Sequence, residues 1–192
     1  MCPMFPILLQ PTLGVLGTHL CGCDGDLVWS VSETASGLRV QGDAPSWRVR
    51  HEAGADLRPL RTVRVQPNGR VAVLTFDSDG VVVVRSGRSR RIEQPGLWDA
   101  DTLALRLGHE LVAAGKGAVT VPVYDPETDR VRWVHAAATR RGEVAGTPCT
   151  WVALTWVGDR ASTSSAAYSD DGQLLRLDGP DAIFVVAPPQ AA

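Results

Sequence analysis

The chain has 192 residues, the length of one ordinary domain, and 19 basic against 21 acidic residues leave a net charge of −2. Hydrophobic residues make up 44% and charged residues 21%, which excludes a disordered chain, a collagen-like fibre and a disulfide miniprotein. A chain of this length buries its own core without staples.

Residues 1–20 are apolar but carry no basic leader, and Pro3, Pro6 and Pro11 interrupt them. They read as mature protein, so the expected location is the cytoplasm. No apolar run approaches the ~18–20 residues of a membrane span. His19, Cys21 and Cys23 look at first like metal ligands. As alternate residues of a strand, the first and last lie ~13 Å apart. One tetrahedral zinc cannot take all three, so no metal site is expected.

Short valine-rich alternating runs follow, which is the pattern of strands. They predict strands over 26–33, 38–41, 46–52, 60–66, 70–77 and 81–85. Pro67-Asn68-Gly69 and Asp79-Gly80 predict tight hairpins between them. Asp77-Ser78-Asp79-Gly80 begins like a calcium loop but lacks the closing glutamate, so it reads as a turn.

Charge is unevenly spread over these strands. Residues 1–38 hold three acids and no base. Residues 39–91 hold eleven arginines against five acids, a local net of +6. Residues 92–192 hold eight bases against thirteen acids, a local net of −5. Lys116 is the single lysine. Arg48, Arg50, Arg61, Arg64, Arg70 and Arg85 are the candidate phosphate contacts of a nucleic-acid surface, with Trp47 nearby to stack on a base.

Residues 99–114 break the strand pattern. Leu103, Leu107 and Leu111 recur every four residues and share one helical face. Asp99 or Asp101 suits the N-cap and Gly115 the stop, while Gly108 weakens the helix. Asp99, Asp101 and Glu110 read as capping and dipole residues. Asp101 with His109 is the weakest of the functional readings, an enzyme's acid/base pair.

Strands are predicted again over 118–124, 130–139, 150–157, 163–169, 173–177 and 182–187, with a loose tail over 188–192. No phosphate loop, nucleophile elbow or dinucleotide fingerprint is present, and no cofactor is expected. Trp151 and Trp156 have opposite parity and so face opposite sides of a strand. Trp133, Trp151 and Trp156 are the candidate contacts of an apolar ligand. The pattern predicts a single domain over 1–192, mainly β. Its form is a curled antiparallel sheet or half-open barrel of about a dozen strands around one helix, because twisted open sheets rarely exceed ~10 strands.

Five short motifs recur in a familiar order. They are Leu57-Arg58-Pro59-Leu60, then Asp101-x-Leu103-x-Leu105-Arg106-Leu107, then Val121-Pro122-Val123-Tyr124-Asp125. Gly142-Glu143-Val144-x-Gly146 and Tyr168-x-x-Asp171-Gly172-x-Leu174 complete them. This stretch, about residues 57–177, resembles an uncharacterised bacterial domain family related to lipoprotein-localisation carriers. The resemblance implies a half-open antiparallel barrel wrapped around a helix, often with an apolar cavity. Carriers of that shape bind lipid acyl chains in the periplasm, and the family brings no catalytic residues. The expected function is a non-enzymatic binding domain that holds an apolar ligand or a protein partner. The alternative is a single-stranded nucleic-acid binder that uses the arginines of residues 48–91.

Overall fold

The computed structural model describes residues 15–22, 25–34, 37–44, 47–54, 58–66, 68–126, 128–158, 162–179 and 183–185. The protein is mainly β, with antiparallel sheets and one helical segment. Its strands form two sheets, and the chain divides into two compact units, Met1–Leu97 with Ala187–Ala192, and Trp98–Val186.

The first unit holds an eight-stranded meander. Its strands are β1 (Val15–Gly22), β2 (Gly25–Thr34), β3 (Gly37–Ala44), β4 (Trp47–Ala53), β5 (Pro59–Val65), β6 (Val71–Phe76), β7 (Gly80–Arg85) and β8 (Arg88–Glu93). They pair in sequence order and all antiparallel. Both predicted hairpins form. Gln66 and Gly69 close the first through backbone bonds, with Gly69 at φ +75°. In the second, the Asp77 carboxylate accepts from the backbone N–H groups of Asp79 and Gly80. That carboxylate is therefore part of the turn, as the sequence indicates. One face of the meander is buried by Val40, Val49, Leu74, Val81 and Val83. His51 lies on this face, fully buried, with Nδ1 2.8 Å from the Thr62 hydroxyl directly across on β5.

The second unit holds β9 (Trp98–Asp99), β10 (Ala118–Asp125), β11 (Arg130–Val144), β12 (Thr147–Val157), β13 (Ser162–Tyr168), β14 (Leu174–Asp178) and β15 (Ile183–Val185). Among the described residues only the short β9 pairs parallel, against β10. The helical segment lies between β9 and β10 and changes pitch along its length. It opens as a 3-10 turn (Ala100–Thr102), runs as α-helix (Leu103–Leu107) and ends as π-helix (Gly108–Ala113). Asp99 caps it, accepting from the Asp101 N–H at 3.0 Å. Leu103, Leu107 and Leu111 are all buried, as their spacing predicts. They join Trp98, Val121, Val123, Val134, Val152, Leu154 and Tyr168 in one cluster. Strands β10 to β14 all supply residues to it or packed against it. Five strands at about 4.8 Å spacing outspan one helix of ~10–12 Å, so this sheet curls around the segment.

The sequence did not announce β1, β8 or β9. It also ended β11 too early, because the hairpin Ala145-Gly146 went unrecognised; both residues have positive φ, 50° and 82°. The predicted tail over 188–192 lies outside the described residues.

Candidate functional site

Alternation sorts the arginines of the first sheet onto two faces, and strand register aligns them in rows. One row on the face opposite the buried one reads Glu52, Arg61, Thr75, Val82 and Arg91 across β4 to β8. The next reads Gln41, Arg50, Val63, Val73, Val84 and Ser89 across β3 to β8. A third reads Arg48, Val65 and Val71 across β4 to β6. In the second and third rows the face changes character between its strands: Gln41, Arg48 and Arg50 stand on β3 and β4, valines on β5 to β7, while the first row keeps Arg61 on β5 and Thr75 on β6. Val71 and Val84 are 45% and 37% exposed.

A groove of about 410 Å³ opens where the two halves meet. Gln41, Arg48, Arg50, Glu52 and Arg61 surround it, and Val63 and Val65 add an apolar side. Arg50 and Arg61 make no ion pair among the described residues. Arginine keeps its charge throughout the ordinary pH range and offers a planar fork of donors. Arg50 and Arg61 thus present guanidinium charge to the groove. It is suited to a carboxylate or phosphate, and the adjoining valines to an alkyl chain.

The six arginines singled out in the sequence therefore do not all stand on one face. Arg48, Arg50 and Arg61 line the groove. Arg64 points to the other face and is only 8% exposed, and Arg85 shares that face, partly buried. Arg70 stands exposed in the β5–β6 turn. Trp47 belongs to β4, but its side chain lies outside the described residues. No aromatic side chain lines the described groove.

The three tryptophans also separate. Trp156 lies on the helix side of the second sheet, packed against the main cluster, with the Arg132 guanidinium 4.7 Å from its ring. Trp151 lies on the opposite side, packed on Val144, Cys149 and Ala167. Arg140 and Arg176 flank it at 4.7 and 5.7 Å. Trp133 shares that side and is 44% exposed beside Val157 at 52%. The opposite parity read for Trp151 and Trp156 holds, and for that reason they cannot line one cavity. On the helix side, Leu103, Leu107, Leu111 and Tyr168 are members of the packed cluster.

Arg106 and Glu110 of the helical segment make contacts within the second unit. Arg106 is buried and stacks 3.8 Å over Trp98. Glu110 bridges Arg106 at 3.7 Å and Lys116 at 3.0 Å. The Lys116 hydrogen bond holds the Glu110 carboxyl below its ordinary range. Asp101 is half-buried and His109 exposed. No helix among the described residues is long and apolar enough to cross a membrane.

No protein-family model matches the chain, and no curated protein matches it. Among solved structures it is similar to a β-barrel-like protein of a domain of unknown function, DUF1849, from Brucella abortus. The identity is 14% and the TM-score 0.53, over 90% of this chain and 85% of that one. That likeness establishes the fold alone, a β-barrel-like architecture.

Proposed function

We propose that the chain is a non-enzymatic binding domain whose ligand is a small anionic amphiphile, seated on the exposed face of the first sheet. Arg50 and Arg61 receive its acidic head, and Val63, Val65, Val71, Val73 and Val84 its alkyl chain. The observation that carries this is the change from guanidinium to valine along single rows of one sheet face, with a groove at the boundary. The resemblance to carriers of lipid acyl chains agrees with the apolar half of such a ligand. Single-stranded nucleic acid fits less well. Sequence-tolerant strand binding needs aromatic platforms for successive bases, and Glu52 interrupts the positive lining.

Calorimetric titration with dodecanoate, dodecanol and a labelled single-stranded oligonucleotide tests the reading. Dodecanoate should bind about tenfold or more tightly than dodecanol, a difference of ~1.4 kcal/mol or above. Arg50→Glu with Arg61→Glu should abolish that preference. Shortening the chain by two methylenes should weaken binding several-fold, since each buried CH₂ contributes up to ~0.8 kcal/mol. Equal affinity for acid and alcohol, or tighter binding of the oligonucleotide with a steep salt dependence, would overturn it.

A further inference from the structure

Another cavity, of about 310 Å³, lies wholly within the second unit. It opens between the C-terminal end of the helical segment, β11, β12 and the turn after β13. Leu111, Val112 and Ala138 give it an apolar wall. Gly115 and Gly117 border it, and a Cβ on either would meet no atom within 4 Å.

A bulge in β11 turns a charge toward this space. Val134, Ala136 and Ala138 alternate onto the helix side, Ala138 opposite Val152. Strict alternation would place Arg140 there next. The pairing with β12 instead shifts by one residue between Ala138 and Arg140. The Thr139 hydroxyl donates to the Trp151 carbonyl, 3.1 Å, at that shift. Arg140 is thereby turned outward beside Trp151, and Arg141 comes opposite Thr150 on the helix side. Thr150 shares that side with Val152 and Leu154 and is only 9% exposed. It lines the cavity, and its hydroxyl has no hydrogen-bond partner among the described residues. A bound polar group would supply the partner that this buried hydroxyl lacks.

Charge decides the class of ligand. Lys116, Arg141 and Asp170 stand around the same space. Lys116 pairs with Glu110 at 3.0 Å, and Arg141 pairs with Asp170. The second pair is largely exposed on both sides, so it contributes little and opens readily. Two cations and two carboxylates balance, so a ligand of one charge leaves the cluster unbalanced. A ligand with both signs can replace the exposed pair, its carboxylate on the guanidinium fork and its ammonium on Asp170.

We propose that this cavity binds a free α-amino acid with an apolar side chain. Arg141 and the Thr150 hydroxyl receive its carboxylate, Asp170 its ammonium, and Leu111, Val112 and Ala138 its side chain. The site uses no residue of the groove on the first sheet, so neither proposal depends on the other.

Calorimetry and amide NMR on the full-length chain test it with four probes. L-leucine carries all three features. Isocaproate lacks the ammonium, isopentylamine the carboxylate, and glycine the apolar chain. Leucine should bind about tenfold or more tightly than each of the others. It should also shift the Gly115, Gly117, Ala138 and Thr150 amides. Thr150→Val keeps the shape and removes the hydroxyl, so leucine should bind several-fold more weakly while Tm does not fall. Asp170→Asn should remove the preference for leucine over isocaproate. Arg50→Glu with Arg61→Glu should leave leucine binding intact. Isocaproate or glycine binding as tightly as leucine would refute the proposal. So would a preference unchanged in Asp170→Asn, or amides that do not shift at millimolar leucine.

Discussion

Tyr168 shows how one residue ties the second unit together. It is fully buried, and its hydroxyl donates to the Ala104 carbonyl at 2.8 Å, joining β13 to the helical segment. Burial pushes its phenol well above the ordinary value of 10. The folded protein thus keeps this proton at pH values where the unfolded chain has lost it. Stability should fall as pH rises through about 10, at up to ~1.4 kcal/mol per pH unit, and should be untouched by this group below. Tyr168→Phe should cost about 1 kcal/mol at neutral pH through the lost hydrogen bond. It should also flatten the alkaline loss relative to the parent chain in urea titrations at pH 9 and pH 11. At this scale the sequence was half legible. Parity put Arg48 and Arg50 on one strand face and parted Trp151 from Trp156. It could not say that Arg64, an arginine among arginines, would be 8% exposed while Arg61 lined a groove. That depends on which face the rest of the first unit covers.

At the scale of elements, the helical segment is where local propensity and tertiary packing oppose one another. Gly108 is a poor helix residue, yet a Cβ there would sit 2.0 Å from the Gly172 carbonyl oxygen and 2.6 Å from the Tyr168 ring. The segment crosses the β13–β14 turn at backbone contact, and its pitch widens from α to π at the same residue. Helix propensity predicts that Gly108→Ala gains about 1 kcal/mol. Overpacking against backbone predicts a loss of about 3 kcal/mol, and the second effect wins. Gly115 is the contrasting case. It stops the segment in the left-handed region at φ +67°, with its N–H bonded to the Val112 carbonyl and the Lys116 N–H to that of Leu111. Nothing lies near its absent Cβ, so Gly115→Ala should cost only the backbone strain, about 1–2 kcal/mol. Thermal melts of the two variants should rank them in that order. The Leu103, Leu107 and Leu111 stripe and the Asn68-Gly69 turn were legible because each follows from local spacing or φ. β8 was not, since Arg-Ser-Arg-Arg-Ile-Glu lacks the alternation of a half-buried strand. The signal for it was the Ser86-Gly87 turn.

Over the whole chain the near-neutral total hides a division between the units. Residues 1–97 hold eleven bases against nine acids, and residues 98–186 eight against twelve. The single domain expected from length thus contains two sheets, each with its own register and its own net sign. The second unit also holds every member of its hydrophobic cluster, from Trp98 to Leu177, between its own ends. Its capped helix, its curled sheet and its internal pairs, Arg106 with Trp98 and Glu110 with Lys116, are likewise all encoded there. A core that closes within a contiguous stretch of ~90 residues has the size of a small independent domain. Expressed alone, Trp98–Val186 should therefore give a β-type circular dichroism spectrum and one sigmoidal urea transition. Leu107→Ala, at a fully buried position, should lower its midpoint by the equivalent of ~2–5 kcal/mol or abolish the transition. A fragment that unfolds gradually, with Leu107→Ala indistinguishable from it, would show that this core needs the first 97 residues to form. The chain would then be one cooperative domain despite its two sheets.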